Sequence, residues 1–368
     1  MDIPGWDACV RKPGPGFLVL NVVIPMIDLN LVNKAYREDG FYSLQLEVGD
    51  KCYQGCVYCY MNAVGETKNQ LTSDLVFKVI RDAANEGISA IEWLGGEPLL
   101  RPDIFRFMEY AKELGFRNNM WTGGLPFADK QLTGRTADLC RHGLISVHLS
   151  TIDPETYQRM HPTRSADDIQ VILDGIRHLL DLGYPPEQLL NSVTFTGLQT
   201  AEDMIETMQF FYDSFQIHTS INVYHTYLRP GSHTNELQRF IPDPQEVAKV
   251  YRAYRRMTGE GTLPMNCVNK AYCSATVAVL NNAYVTPCAT IREERTGLSL
   301  NEAGFSEILD MNRDYLCFKY FKEESNLPED CRRCKLRDEC WGCRSRSYAA
   351  GRGIYGKDPR CFRTATSA

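Results

Sequence analysis

Three cysteines stand close together in the run Cys52-Tyr53-Gln54-Gly55-Cys56-Val57-Tyr58-Cys59. Thiolates hold iron–sulfur clusters, and a 4Fe–4S cluster has four irons, so three local ligands leave one iron open to a molecule from outside. A zinc site short of one ligand and a disulfide loop are the alternatives. Neither accounts for the CxxxCxxC spacing or for Tyr58 directly before the third cysteine. Eight further cysteines, Cys267, Cys273, Cys288, Cys331, Cys334, Cys340, Cys343 and Cys361, can supply two complete four-thiolate sites. Iron–sulfur clusters and a pair of zinc ribbons both satisfy that count. His148, His161, His225 and His233 have no second ligand at a metal-binding spacing, so they read as polar lining or packed residues.

Fourteen cysteines in 368 residues could also mean a secreted disulfide framework. The start, Met1-Asp2-Ile3-Pro4-Gly5, does not resemble a signal peptide. The apolar stretch from Phe17 to Val32 is broken by Asn21, Pro25, Asp28 and Asn30, so no membrane span is expected. A cytoplasmic, reducing location with metal-bound thiolates is the expectation. The length predicts one large domain with a smaller one. A net charge of −6 argues against a general nucleic-acid binder.

The elements that must position these residues alternate from residue 41 onward. Residues 41–48 have a period near two and predict a strand. A helix is expected over 73–85, with Ser73 as its cap, then a strand over 90–94 and a helix over 103–114. Strand 119–122, a helix near 131–141, strand 145–150 and a helix over 166–182 continue the pattern. Strand 192–196, a helix over 201–215 and strand 220–224 complete six β–α repeats. Such repeats imply a parallel sheet whose ligands collect at the carboxyl ends of the strands. Periodicity does not separate an open barrel from a doubly wound sheet. The first strand-end loop holds the three cysteines, and the second holds Leu94-Gly95-Gly96-Glu97-Pro98. Residues 1–40 are read as an amino-terminal extension, its apolar run a strand or hairpin. Residues 41–240 form the main domain, and residues 241–368 a bridging helix near 244–257 with the second cysteine set.

The cysteine run resembles the signature of the radical SAM superfamily, and Gly95-Gly96-Glu97-Pro98 is similar to that family's GGEP motif. The later cysteines resemble the SPASM extension. The resemblance implies an α/β fold, a partial (βα)6 barrel followed by a small cysteine-rich SPASM domain. It implies S-adenosylmethionine and three 4Fe–4S clusters as cofactors. Cys52, Cys56 and Cys59 would hold the first cluster, whose open iron chelates S-adenosylmethionine. Cys267, Cys273, Cys288 and Cys343 would hold one auxiliary cluster, and Cys331, Cys334, Cys340 and Cys361 the other. Tyr58 would lie near the adenine, and Gly95, Gly96, Glu97 and Pro98 would bind the amino group. Thr122, at the end of the third strand, Ser150 and a downstream arginine (Arg159 or Arg164, with Arg164 taken here) would complete the cofactor contacts. The loop 227–231, with Leu228, would close over the adenine. Gln199 stands where relatives often have asparagine. There are two departures: Ala283 replaces the usual glycine five residues before Cys288, and the Cys340–Cys343 spacing is one residue short.

The chemistry so implied is reductive cleavage of S-adenosylmethionine and abstraction of a substrate hydrogen. An oxidation, dehydrogenating or cross-linking a peptide or protein side chain, would send the second electron to the auxiliary clusters. Four protein thiolates each leave those clusters no iron for substrate. An aspartate that sulfatase-maturing relatives carry after the third auxiliary ligand is Ala289 here, with Thr290 next. Dehydrogenation or epimerisation of a small metabolite such as a sugar is the alternative, and a non-catalytic iron–sulfur or zinc scaffold a third. Epimerisation needs a thiol hydrogen donor. Of Cys9, Cys140 and Cys317, which lie outside the cluster sets, Cys317 is the candidate. Expected partners are a peptide or small-molecule substrate and a reductant such as flavodoxin or ferredoxin, with no nucleic acid and no membrane.

Overall fold

The computed structural model describes residues 27–63, 65–225, 237–259 and 262–363. Leu228 and its loop, His233 and Cys9 lie outside them. Six strands run parallel in chain order: β1 (Ser43–Glu47), β2 (Ala90–Leu94), β3 (Arg117–Thr122), β4 (Ile145–Val147), β5 (Leu189–Phe195) and β6 (His218–Val223). The order never reverses, so there is no switch point of the kind a doubly wound sheet has, and the open-barrel reading holds. The sheet also crosses residue 240. Strand β7 (Thr276–Val279) pairs parallel with the free edge of β1, Ser43 opposite Thr276, and β8 (Val285–Thr286) folds back antiparallel on β7.

Each strand sorts its side chains by alternation. Leu44, Leu46, Ile91, Trp93, Met120, Ile145 and Val147 enter the main core beneath helices α2 (Ser73–Asn85), α3 (Ile104–Glu113) and α6 (Asp168–Asp181). The opposite face carries Gln45, Glu47, Glu92, Trp121, His148, Ser192, Thr194 and Asn222, a polar lining turned toward the barrel interior. Trp93 keeps its indole N–H satisfied in the core through Asn118 Oδ1 at 2.8 Å. The Asn118 amide in turn donates to the Met108 and Leu139 carbonyls, tying the outer helices to β3.

Several expected boundaries move for identifiable reasons. The described part of the amino-terminal apolar run is a helix, Leu29–Arg37, because Asp28 accepts from the Asn30 and Leu31 amides and starts a turn. Helix α2 is capped by Thr72, which accepts from Leu75 N; the Ser73 hydroxyl turns instead to Asp103. Strand β4 stops at Val147 because the Asn191 side chain takes over both backbone groups of Leu149. A helix missed in the sequence, Pro154–Met160, starts at Asp153, whose carboxylate accepts from Thr156 N at 2.7 Å. Ala283 does adopt the left-handed conformation of the glycine it replaces, φ +68°, with its methyl group packed in the main core.

Arg101 ties the end of β1 to the start of α3. Its guanidinium lies over Phe107, donates to the Val48 and Leu71 carbonyls and pairs with Asp103 at 2.7 Å. Substituting Arg101→Ala strands those buried acceptors, and a loss on the order of 3 kcal/mol is expected. A urea-unfolding midpoint within error of the unsubstituted protein would contradict this.

Candidate functional site: a cysteine loop and an acid–base cavity

The cysteine loop leaves the end of β1 and is held from three sides. On the first side are Gly95 and Gly96. A Cβ on Gly95 would lie 2.4 Å from the Gly49 carbonyl oxygen, and one on Gly96 would lie 2.4 Å from that of Lys51. Gly95 also has φ +145°. The backbone of 49–51 therefore occupies the space a side chain would need, and it accepts from Gly96 N at 2.9 Å and Glu97 N at 2.8 Å. On the second side, Asp50 accepts from the Lys68 and Asn69 amides, both at 2.9 Å, and pins the returning segment. The third side is the helix Pro154–Met160 and the turn after it: Val57 N donates to Met160 O at 3.1 Å, and Gly55 faces the Thr163 hydroxyl. The Tyr157 and His161 rings pack there at a tilt, centroids 4.3 Å apart, and His161 meets Tyr58 edge-on. Asp153-Pro154, a cap followed by proline at the first helical position, was the signal that could have revealed this floor.

Beside the loop is a cavity of ≈ 210 Å³ lined by Cys52, Tyr53, Gln54, Glu97, Leu100, Leu125, Pro126 and Arg164. Glu97 Oε2 accepts from the Thr122 hydroxyl at 2.8 Å and from Gly123 N at 2.7 Å, while Oε1 accepts from Leu99 N at 3.2 Å. Burial nonetheless pushes its carboxyl up to about 7. Arg164 stands across the cavity, bound to Asp168 at 2.5 and 2.8 Å. Arg159 lies apart, donating to Thr156 and the Leu198 carbonyl. A carboxyl group and a guanidinium flanking Cys52 complement a zwitterionic amino-acid group, with its ammonium at Glu97 and its carboxylate at Arg164.

Tyr58 and Ser150 meet inside the barrel. The Tyr58 hydroxyl is 2.9 Å from His148 Nε2, and the Ser150 hydroxyl is 3.2 Å from the same nitrogen. Ser150 also accepts from Thr194 N at 3.1 Å and is fully buried. Burial lowers the His148 pKa to about 4, so at neutral pH its ring is uncharged. Gln199 closes on its own neighbourhood, its amide donating to Ser150 O at 2.6 Å. His225 stands elsewhere, among Arg346, Asp358 and Arg360. Cys317 lies at the end of the helix Phe305–Leu316, fully buried in the main core, and lines neither this cavity nor the one below.

The other eight cysteines gather as two sets of four. Burial raises Cys267 well above the ordinary thiol range, and the nearby Cys343, Cys288 and Cys273 add to the rise. In the second set Cys340 is pushed up to about 12 by burial, with Cys361 and Cys331 contributing. Cys331, Cys334, Cys340 and Cys361 together line a cavity of ≈ 430 Å³. Backbone amides point at the sulfurs: Gln54 N at Cys52, Leu336 N at Cys334 and Gly342 N at Cys340, at 3.2 to 3.4 Å. Among the described residues no three Cys, His, Asp or Glu side chains converge on a single ion position. Four thiols in each set are a donor set that either a 4Fe–4S cluster or a zinc ion could take. Their joint anchor is the buried pair Arg346–Asp358: Asp358 accepts from Cys343 N at 2.8 Å, and Arg346 reaches Asn222 on β6.

Residues 46–211 match the Radical SAM superfamily. The chain is 32% identical over 169 residues to a probable GTP 3′,8-cyclase of Methanothermobacter thermautotrophicus, which is 45% of this chain and 52% of that protein. A probable GTP 3′,8-cyclase of Halobacterium salinarum is 29% identical over 161 residues, 41% of this chain and 42% of that protein. The chain thus spans about half the length of the curated relatives it matches. Solved structures agree over much more of it. Streptococcus suis SuiB bound to S-adenosylmethionine covers 90% of this chain and 80% of its own at a TM-score of 0.62 and 16% identity. The structure of anSMEcpe with AdoMet and a Cp18Cys peptide covers 89% and 94% at 0.63 and 14%. The likeness is one of fold. No helix among the described residues is long and apolar enough to cross a membrane.

Because the Glu97 carboxyl titrates higher in the folded chain than in the unfolded one, folding takes up a proton, and its stabilising contribution is complete only below the unfolded value. That contribution is lost as pH rises from near 4.5 to about 7. The stability difference between the cluster-free protein and its Glu97→Gln variant should therefore shrink, by up to roughly 3 kcal/mol, between pH 4 and pH 8. A difference that is constant with pH would contradict the burial argument.

Proposed function

Residues 46–211 are a radical SAM domain, and on that ground we propose that the protein is an oxidoreductase that modifies a peptide or protein side chain by dehydrogenation or cross-linking. The observation that carries this reading is the cavity in which Glu97 and Arg164 flank Cys52, next to the other two cysteines of the loop. Cys52, Cys56 and Cys59 would hold a 4Fe–4S cluster that, together with S-adenosylmethionine, would supply radical abstraction of hydrogen from an unactivated carbon. Glu97 and Arg164 orient the methionine group. The packed floor of Tyr157, His161 and Tyr58 keeps water from the buried side of the loop. The auxiliary sets, Cys267/Cys273/Cys288/Cys343 and Cys331/Cys334/Cys340/Cys361, would hold two further 4Fe–4S clusters, which would supply a route out for the second electron. A low-potential carrier such as flavodoxin or ferredoxin supplies the first electron, in a reducing cytoplasm.

The peptide class is supported by the extent of the fold likeness, which runs through the auxiliary region to SuiB bound to the precursor peptide SuiA, over 90% of this chain. The burial of Cys317 favours oxidation over an epimerisation that would need its thiol. One observation favours a small-molecule substrate: relatives matched in sequence are named as probable GTP 3′,8-cyclases, and they match over less than half of the chain.

Anaerobic reconstitution should give about twelve irons per chain, and 5′-deoxyadenosine should appear with dithionite and S-adenosylmethionine. Cys56→Ser should abolish that release, whereas Cys334→Ser should lower the iron content and keep it. Four irons or fewer, with stoichiometric zinc, would refute the auxiliary assignment. Deuterium passing into 5′-deoxyadenosine from a labelled peptide encoded beside the gene would identify the substrate class, and transfer only from a labelled nucleotide would overturn it.

A further inference from the structure

The inner face of β1 ends at Glu47, which is fully buried. Arg292 Nη1 donates to both of its oxygens at 2.9 Å, Tyr60 OH donates to Oε1 at 3.0 Å, and Asn281 N donates to Oε2 at 3.2 Å. Arg292 Nη2 is held in turn by Asn281 Oδ1 at 2.7 Å. These four residues come from different places. Tyr60 directly follows Cys59, Asn281 lies in the β7–β8 hairpin, and Arg292 comes four residues after Cys288. The node therefore joins the loop of the first cysteine set to the segment of the second. Burial works against the Arg292 cation, while Glu47, Tyr60 and Cys59 hold its pKa above the ordinary arginine value. The guanidinium thus lies within electrostatic reach of a cluster ligand that belongs to the other domain.

We propose that Arg292 is a positioning residue through which the auxiliary region keeps the buried charge of Glu47 from shifting the reduction potential of the Cys52/Cys56/Cys59 cluster, acting as the cationic half of a neutral pair. This rests on the radical SAM reading above. Adding an electron makes a cluster more negative, so a nearby buried cation raises its potential and a nearby buried anion lowers it. With both charges present the two effects offset each other, and the loop can be braced by strong contacts without a net field on the cluster.

A brace with no electrostatic role and a charge pair make different predictions. If the contacts only brace the loop, each substitution loosens it and the double substitution is worst. If the pair acts through charge, single substitutions move the potential in opposite directions and the double one cancels them. The test is an EPR-monitored redox titration of reconstituted protein, following the signal that shifts when S-adenosylmethionine is added. Arg292→Gln should move the midpoint negative, enough for at least a tenfold lower reduced-to-oxidised ratio at the original midpoint, about 59 mV for one electron. Glu47→Gln should move it positive by a comparable amount. Glu47→Gln with Arg292→Gln should return near the starting value, and Arg292→Lys should stay there.

Shifts of one sign in both single variants, no shifts, or a double variant displaced further than either would overturn the proposal. Failure of Arg292→Lys to assemble the cluster would make the contact structural and overturn it as well. A starting protein that shows no such signal at all would defeat the radical SAM reading and the proposal with it. A normal starting signal with unmoved variants defeats the proposal alone.

Discussion

The backbone of residues 49–51 and the pair Gly95-Gly96 touch at a distance that no side chain allows. Every other property of the candidate site depends on that contact. It brings the cysteine loop against the end of β2, so that Glu97, the next residue, projects beside Cys52. The same contact hands the amides of Gly96 and Glu97 to carbonyls of the loop, which leaves the Glu97 side chain to be satisfied from β3, by Thr122 and Gly123. Three strand ends are thereby linked through one residue, by its backbone amide on one side and its carboxylate on the other. Its raised pKa is the cost of burying it.

The barrel and the auxiliary region share more than an interface. Strand β7 continues the sheet at β1, and the inner face of β1 receives the auxiliary segments residue by residue. Gln45 accepts from Ala289 N at 3.0 Å, next to Cys288. Glu92, buried with no cationic partner among the described residues, accepts from Ser43, Gln45 and the hydroxyl of Tyr272, next to Cys273. Glu47 takes Arg292 and Asn281. The residues flanking Cys273 and Cys288 are thus hydrogen-bonded to barrel strands, and any change in the barrel's inner face is felt at that cysteine set. On the far side, Arg346 and Asp358 fasten Cys343 to β6.

Local chemistry made much of this legible in the chain alone. Cys52, Cys56 and Cys59 are close enough in sequence that one loop must carry all three thiols. The helices 73–85 and 201–215 and the strand 90–94 lie where periodicity put them, because their apolar residues repeat at the period of one buried face. Gly-Gly before Glu97 announced a close approach, though not what approaches.

What needed the tertiary structure were the relations between residues far apart in the chain. The sequence offers Arg159 and Arg164 on equal terms, and only packing puts Arg164 across from Glu97. The short helix 154–160 was invisible because seven residues give too little periodicity, yet it floors the cysteine loop. Glu47, Glu92 and Arg292 carry no motif: each is an ordinary charged residue until folding buries it and forces it to find a partner. The chain by itself determined which atoms can bind iron and which loop they share. The fold decided which charges face those atoms, because burial makes long-range pairing compulsory and no local spacing encodes it.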